Sequence, residues 1–89
     1  MPIAHHLPGL GPKSLAMLAA AGIHGRTDLE RLGAVRAYLQ VKATGQNASL
    51  NLLWAIEGAL TGRDWRVVAR EERSRLLLEL DAAQEATRR

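Results

Sequence analysis

The chain has 89 residues, no cysteine, 47% hydrophobic side chains, and a formal charge of +3 from twelve Lys and Arg against nine Asp and Glu. Such a chain makes one domain, with no disulfide staple and no thiolate metal site. The charge balance permits nucleic-acid contact without demanding it. Phe is absent and the aromatic residues are Tyr38, Trp54 and Trp65, while Leu and Ala are abundant. Strand-favouring residues are therefore scarce, and an all-α fold is predicted: a compact bundle of about five short helices.

The start, residues 1–7, has no cationic segment ahead of an apolar stretch, and no apolar run reaches the roughly 18–20 residues of a membrane span. A soluble, cytoplasmic protein with no membrane association is expected, with residues 1–6 and 86–89 frayed. The stretch His6-Leu7-Pro8-Gly9-Leu10-Gly11-Pro12 reads as a tight turn, since glycine tolerates positive φ. Pro12 suits the first position of a helix, where its missing N–H is no loss. The first helix is predicted over 12–21, stopped by Gly22, with Ile23 turned into the core.

Thr27-Asp28-Leu29-Glu30 has the spacing of a capping box, in which a Thr hydroxyl and a Glu carboxylate satisfy each other's backbone N–H. It predicts a short helix over 28–32. Gly33 allows a change of direction, and Val35, Tyr38, Leu39 and Lys42 recur at helical spacing over 34–43. Residues 44–48 are polar and aperiodic, hence a loop, with Ser49 placed to cap the next helix. That helix, 50–60, is apolar on more than one face (Leu50, Leu52, Leu53, Trp54, Ile56, Leu60) and should be the central, most buried one. Gly58 within it suits close approach of another segment. Asp64 caps a brief turn carrying Trp65, Val67 and Val68, and the last helix is predicted over 70–85. Glu71 and Glu72 fall in its first turn, Leu76, Leu77 and Leu80 form its apolar stripe, and Arg75 and Glu79 are four apart.

The chemistry concentrates in the Leu7-Pro8-Gly9-Leu10-Gly11 turn. A glycine-rich turn opening a helix presents backbone N–H groups that have no internal partner, and the helix dipole adds to their field. Lys13 and Ser14 stand beside it and supply a charge and a hydroxyl, while Leu10 points inward as an anchor. Two readings stand here: a phosphate-holding hairpin, or a plain turn whose glycines serve packing. Arg63, Arg66, Arg70 and Arg73 make a basic run. If the helix extends back far enough, Arg66, Arg70 and Arg73 share one face, as a solvated surface or as a stripe facing phosphate or a partner. His5, His6 and His24 are expected to be solvated loop residues, since no Cys or spaced carboxylate completes a metal site. Glu57 is read as a surface charge or a buried polar tie, Asn51 as structural, and Trp54 and Trp65 as core, with base stacking the alternative for the two tryptophans. No nucleophile–base pair is spaced for catalysis, so no enzymatic activity and no cofactor are expected.

The hydrophobic-Pro-Gly-hydrophobic-Gly pattern followed by a helix resembles the hairpin of the helix-hairpin-helix motif, which holds nucleic-acid backbone without reading sequence. Over the longer pattern, Leu10-Gly11-Pro12-Lys13-Ser14, Ala21-Gly22-Ile23-His24 and Thr27-Asp28-Leu29 resemble the C-terminal domain of the bacterial RNA polymerase alpha subunit in helix–turn–helix order. Adding the stretch from Leu32 to Leu39, the block from Ser49 to Leu60 and Arg63-Asp64-Trp65 brings the chain closer to the C-terminal domain of the TfoX family of competence regulators. The resemblance spans about residues 7–80. It implies a regulatory role in turning on DNA-uptake genes together with a transcription activator. A typical member also carries an α/β N-terminal domain. Nothing here corresponds to it, and Met1 reads as the start of a stand-alone version.

Two functions from different classes follow as expectations. In the first, the module contacts DNA backbone through Gly9, Gly11, Lys13 and Ser14, assisted by Arg66, Arg70 and Arg73. In the second, it docks on a transcription factor, on polymerase or on a copy of itself, with no direct DNA contact.

Overall fold

Six α-helices follow one another in the computed structural model, which describes residues 9–87: α1 (Pro12–Ala20), α2 (Arg26–Leu32), α3 (Ala34–Ala43), α4 (Leu50–Thr61), α5 (Trp65–Glu71) and α6 (Arg73–Thr87). No strand appears among the described residues. The all-α expectation holds, with six helices rather than about five. His5, His6, Leu7 and Pro8 lie outside the described residues.

Helix α1 starts at Pro12 behind an extended Gly11. It ends where the N–H of Ile23 donates to the Leu18 carbonyl (2.9 Å) and that of Gly22 to Ala19 (2.9 Å). Gly22 carries the positive φ, +82°, that this closure needs. Ile23 then enters the core, as predicted. The capping box expected at Thr27 does not form. Helix α2 begins two residues earlier, with Gly25 as its cap and Thr27 exposed inside the helix. A tertiary contact decides the start: the Arg26 guanidinium donates to the Ala59 and Leu60 carbonyls at 3.1 and 3.2 Å. The last carbonyls of α4 have no intrahelical partner, and Arg26 supplies one from another element. Asp28 takes over the cap's role, its carboxylate accepting the His24 backbone N–H at 2.9 Å.

Helix α4 is the centre of the bundle. Leu52, Leu53, Trp54, Ala55, Ile56, Gly58 and Ala59 are all buried, so every face of it is covered. It packs against α5, α3 and α2. Gly58 permits the closest of these approaches, because a Cβ there would stand 2.5 Å from the Arg63 carbonyl oxygen. The Gly58 carbonyl accepts the N–H groups of both Gly62 and Arg63, turning the chain directly into α5.

The brief turn predicted after Asp64 is a helix of its own, α5, that runs on to Glu71, and the last helix begins at Arg73 rather than at 70. Asp64 caps α5 by accepting the Arg66 N–H at 2.8 Å, and the chain bends at Glu72 before α6 begins. Glu71 and Glu72 therefore end α5 instead of opening the last helix. Arg63 explains the bend: its guanidinium donates to the carboxylates of both Glu71 and Glu72. Leu76 and Leu80 of α6 reach the core, and α6 lies on α3 and α5. The expected Arg75–Glu79 pair is present at 2.7 Å.

Candidate nucleic-acid interface

Two helix starts meet on one side of the bundle. Gly9, Lys13, Ser14 and Met17 form one wall of a cleft of about 280 Å³. Asn47, Ser49 and Asn51, from the loop before α4 and its first turn, form the other, and Leu52, Ala55 and Trp65 also line it. Leu10, buried at 8% exposure, anchors the turn from below as expected. Lys13 is exposed and Ser14 half-buried.

Neither helix cap uses a side chain to satisfy its backbone. Gly11 has none to offer, and the Ser49 hydroxyl makes no cap hydrogen bond. The first N–H groups of a helix lack intrahelical acceptors, and residues from the starts of α1 and α4 line this one cleft, each start carrying the positive end of a helix dipole. Lys13 brings a full charge to that region. The serine hydroxyls and asparagine carboxamides around the rim bring further donors.

The loop wall is fixed in place. Tyr38, 2% exposed, donates its hydroxyl to the Ala48 carbonyl at 3.0 Å. The Gln46 carboxamide donates to the Met17 carbonyl at 3.0 Å and to the Thr44 hydroxyl at 2.9 Å. These bonds tie the loop to α3 on one side and to α1 on the other, so the two walls keep their spacing. Burial of Tyr38 pushes its phenol above the usual value of 10.0, leaving it neutral and able to donate.

Of the site residues read from sequence, the structure brings together Gly9, Lys13 and Ser14 in the cleft, with Gly11 next to them at the cap of α1. None of the three arginines lines the cleft. Arg66 lies over the Trp65 ring at 5.7 Å and 3.5 Å from Asp64. Arg70 stands 3.5 Å from Glu71, and Arg73 lies over the Trp54 ring at 5.8 Å. The bend at Glu72 separates Arg73 from the helix that carries Arg66 and Arg70, so helical spacing does not put all three on one face. Trp54 belongs to the core. Trp65 is half-buried between core and cleft. Asn51, read as structural, is exposed on the rim with Asn47 and Ser49. These rim residues were not among the site residues read from sequence; the signal that could have found them is the polar 44–48 loop directly ahead of an apolar helix. What the sequence could not convey is that this loop faces the glycine turn.

A cluster of shifted groups sits at the meeting of α4, α5 and α6. Hydrogen bonds from Arg75 and then Arg63 hold the Glu72 carboxyl below its ordinary value of 4.5. Bonds to Glu72, Glu57 and Glu79 hold the Arg75 guanidinium above its own. Glu57 is thus a polar tie between helices, 2.7 Å from Arg75. No group of three or more His, Asp or Glu suited to a metal ion occurs among the described residues, and none of their helices is long and apolar enough to cross a membrane.

The profile of the TfoX C-terminal domain family matches residues 3–80. The chain is similar to the DNA transformation protein TfoX of Haemophilus influenzae, with 31% identity over 75 residues, 84% of this chain. Those residues are 35% of that protein, so the chain spans about a third of its relative's length. No solved structure matches the chain.

Proposed function

The chain belongs to the TfoX C-terminal domain family, and on that premise we propose that it is a non-catalytic regulatory module of DNA transformation competence that grips DNA backbone weakly and without reading sequence. The observation that carries this reading is the cleft in which the starts of α1 and α4 flank Lys13. Backbone N–H groups at a helix start bind phosphate oxygens through direct hydrogen bonds and a favourable dipole. Such contacts position a protein on nucleic acid but carry no base information. In this reading the Lys13 ammonium neutralises one phosphate, and Ser14, Ser49, Asn47 and Asn51 donate to its neighbours. Arg66, beside Trp65, extends the contact along the strand.

Affinity of this kind comes from counterion release. With about two phosphates neutralised, by Lys13 and Arg66, log K against log salt should slope at roughly −2. Fluorescence anisotropy with a labelled duplex, titrated at several salt concentrations, measures this directly. Lys13→Ala should flatten the slope by about one and weaken binding to all sequences alike. Binding indifferent to salt, or untouched by Lys13→Ala, removes the reading.

A second reading, docking on a transcription activator or polymerase, draws support from a groove beside α3 and α6 lined by Leu32, Leu39, Ala83 and Ala86 together with Arg36 and Gln40. A pull-down repeated after nuclease treatment separates the two, since only a protein-held partner survives it.

A further inference from the structure

From Trp65 to Thr87 the sequence holds neither glycine nor proline. Ala69, Arg70, Glu71, Glu72 and Arg73 span the bend, and Ala, Arg and Glu are among the better helix formers. Local preference thus favours one unbroken helix, yet the chain bends at Glu72, whose φ and ψ are −110° and 5°. A single residue leaves the helical path. Backbone chemistry does not impose this break; side-chain charge holds it. Arg63 grips Glu71 and Glu72, and Arg75 joins Glu72 at 2.8 Å to Glu57 of α4 at 2.7 Å.

Beyond the bend, α6 is a separable piece. It is joined to the bundle by that one residue and holds to it through Leu76 and Leu80, with Leu77 and Ala83 partly covered, and through Arg75 on Glu57 and Arg73 over the Trp54 ring of α4. Its second half sits less closely, since a groove of about 510 Å³ runs beside Ala83 and Ala86 along α3.

We propose that Glu72 is a hinge through which two copies of this chain exchange α6. In the exchanged form α5 and α6 join into one continuous helix. The α6 of each copy then seats on α3 and α5 of the other. The occupant is fixed by shape: the site that α6 leaves is complementary to Leu76 and Leu80 as this chain presents them, and an identical α6 refills it without loss. Exchange of an identical element is a low-cost route to a dimer. The exchanged form also explains Leu78, 72% exposed and the one large apolar side chain so exposed among the described residues. It stands six residues past the hinge, about 9 Å along a helix, where the two continuous helices cross and cover it.

Two substitutions at one position test the hinge. Glu72→Ala and Glu72→Gly both delete the carboxylate that Arg63 and Arg75 hold, but Ala favours a continuous helix and Gly opposes it. With two hinges per dimer, the dimer dissociation constant of E72A should be about thirtyfold lower than that of E72G, read by light scattering across a concentration series. In a dimer mixed from isotope-labelled and unlabelled copies, α3–α6 nuclear Overhauser contacts should appear between copies. Leu78→Lys, added to E72A, should restore the monomer with helical content unchanged. Monomers at every concentration, equal association of E72A and E72G, α3–α6 contacts only within a copy, or a dimer indifferent to Leu78→Lys would each overturn the proposal.

Discussion

Gly58 is the residue whose identity the fold constrains most tightly by space. A methyl group there would meet the Arg63 carbonyl oxygen at 2.5 Å and the Trp65 nitrogen at 3.4 Å. Both are backbone atoms of the turn into α5, so neither can swing aside as a side chain would. Gly58→Ala should cost about 1–3 kcal/mol, the usual range for overpacking a closed core, and should lower the urea midpoint of unfolding. Tyr38 is constrained by chemistry instead. Its hydroxyl satisfies the Ala48 carbonyl inside the protein, and Tyr38→Phe leaves that acceptor unpaired at a cost of about 1–3 kcal/mol. The same change loosens the loop that carries Asn47 and Ser49. It should therefore raise amide hydrogen exchange across residues 44–49 more than across α6.

At the scale of helices, the reading from sequence succeeded where a segment's fate is settled within a few residues of itself. The helix over 34–43 is found as predicted, because Gly33 starts it and its apolar spacing is unambiguous. The turn after α1 is likewise local, with Gly22 free to take positive φ and Ile23 following it inward. The errors fall where a distant arginine wins. Arg26 reaches α4, more than thirty residues on, and draws the start of α2 back past the Thr27 capping box. Arg63 reaches Glu71 and Glu72 and moves the start of the last helix from the predicted 70 to 73. The candidate site was half legible for the same reason: the glycine turn, Lys13 and Ser14 are contiguous, whereas the rim at Asn47, Ser49 and Asn51 arrives through tertiary folding. Arg26→Ala should destabilise the protein by about 1 kcal/mol by leaving the α4 carbonyls to water. Arg26→Lys should recover little, because an ammonium cannot fork to two carbonyls as a guanidinium does.

Acid should act on this same level of structure. The Glu72 and Asp28 carboxyls are held below their ordinary values, Glu72 chiefly by Arg75 and Asp28 chiefly by the His24 backbone N–H. A carboxyl whose value is lower in the folded chain stabilises the fold above its unfolded value and loses that contribution as pH falls through the lowered one. Stability should therefore be level above about pH 5 and decline below the ordinary carboxylate values of 4.5 and 3.8. Chemical denaturation at a series of pH values reads this out, and the decline should be shallower in a Glu72→Gln variant.

Over the whole molecule, charge is used in two different ways. One side gathers two helix starts, Lys13 and a rim of hydroxyls and carboxamides around a fixed cleft. The junction of α4, α5 and α6 is held by the paired charges of Arg63, Arg75, Glu57, Glu71, Glu72 and Glu79, and Arg63 adjoins Gly9 and Trp65 of the cleft. A formal charge of +3 over the whole chain is too small to bind DNA by attraction at large, so any binding must come from local placement. The measurement that tests this most directly is a titration of the isotope-labelled protein with a DNA duplex of scrambled sequence, followed by amide chemical shifts at low and at physiological salt. The predicted result is a set of shifts confined to Gly9, Lys13, Ser14, Asn47, Ser49, Asn51 and Arg66 and their neighbours, fading as salt is raised. Shifts centred on α6 and the α3 groove, or none at any salt concentration, would contradict it.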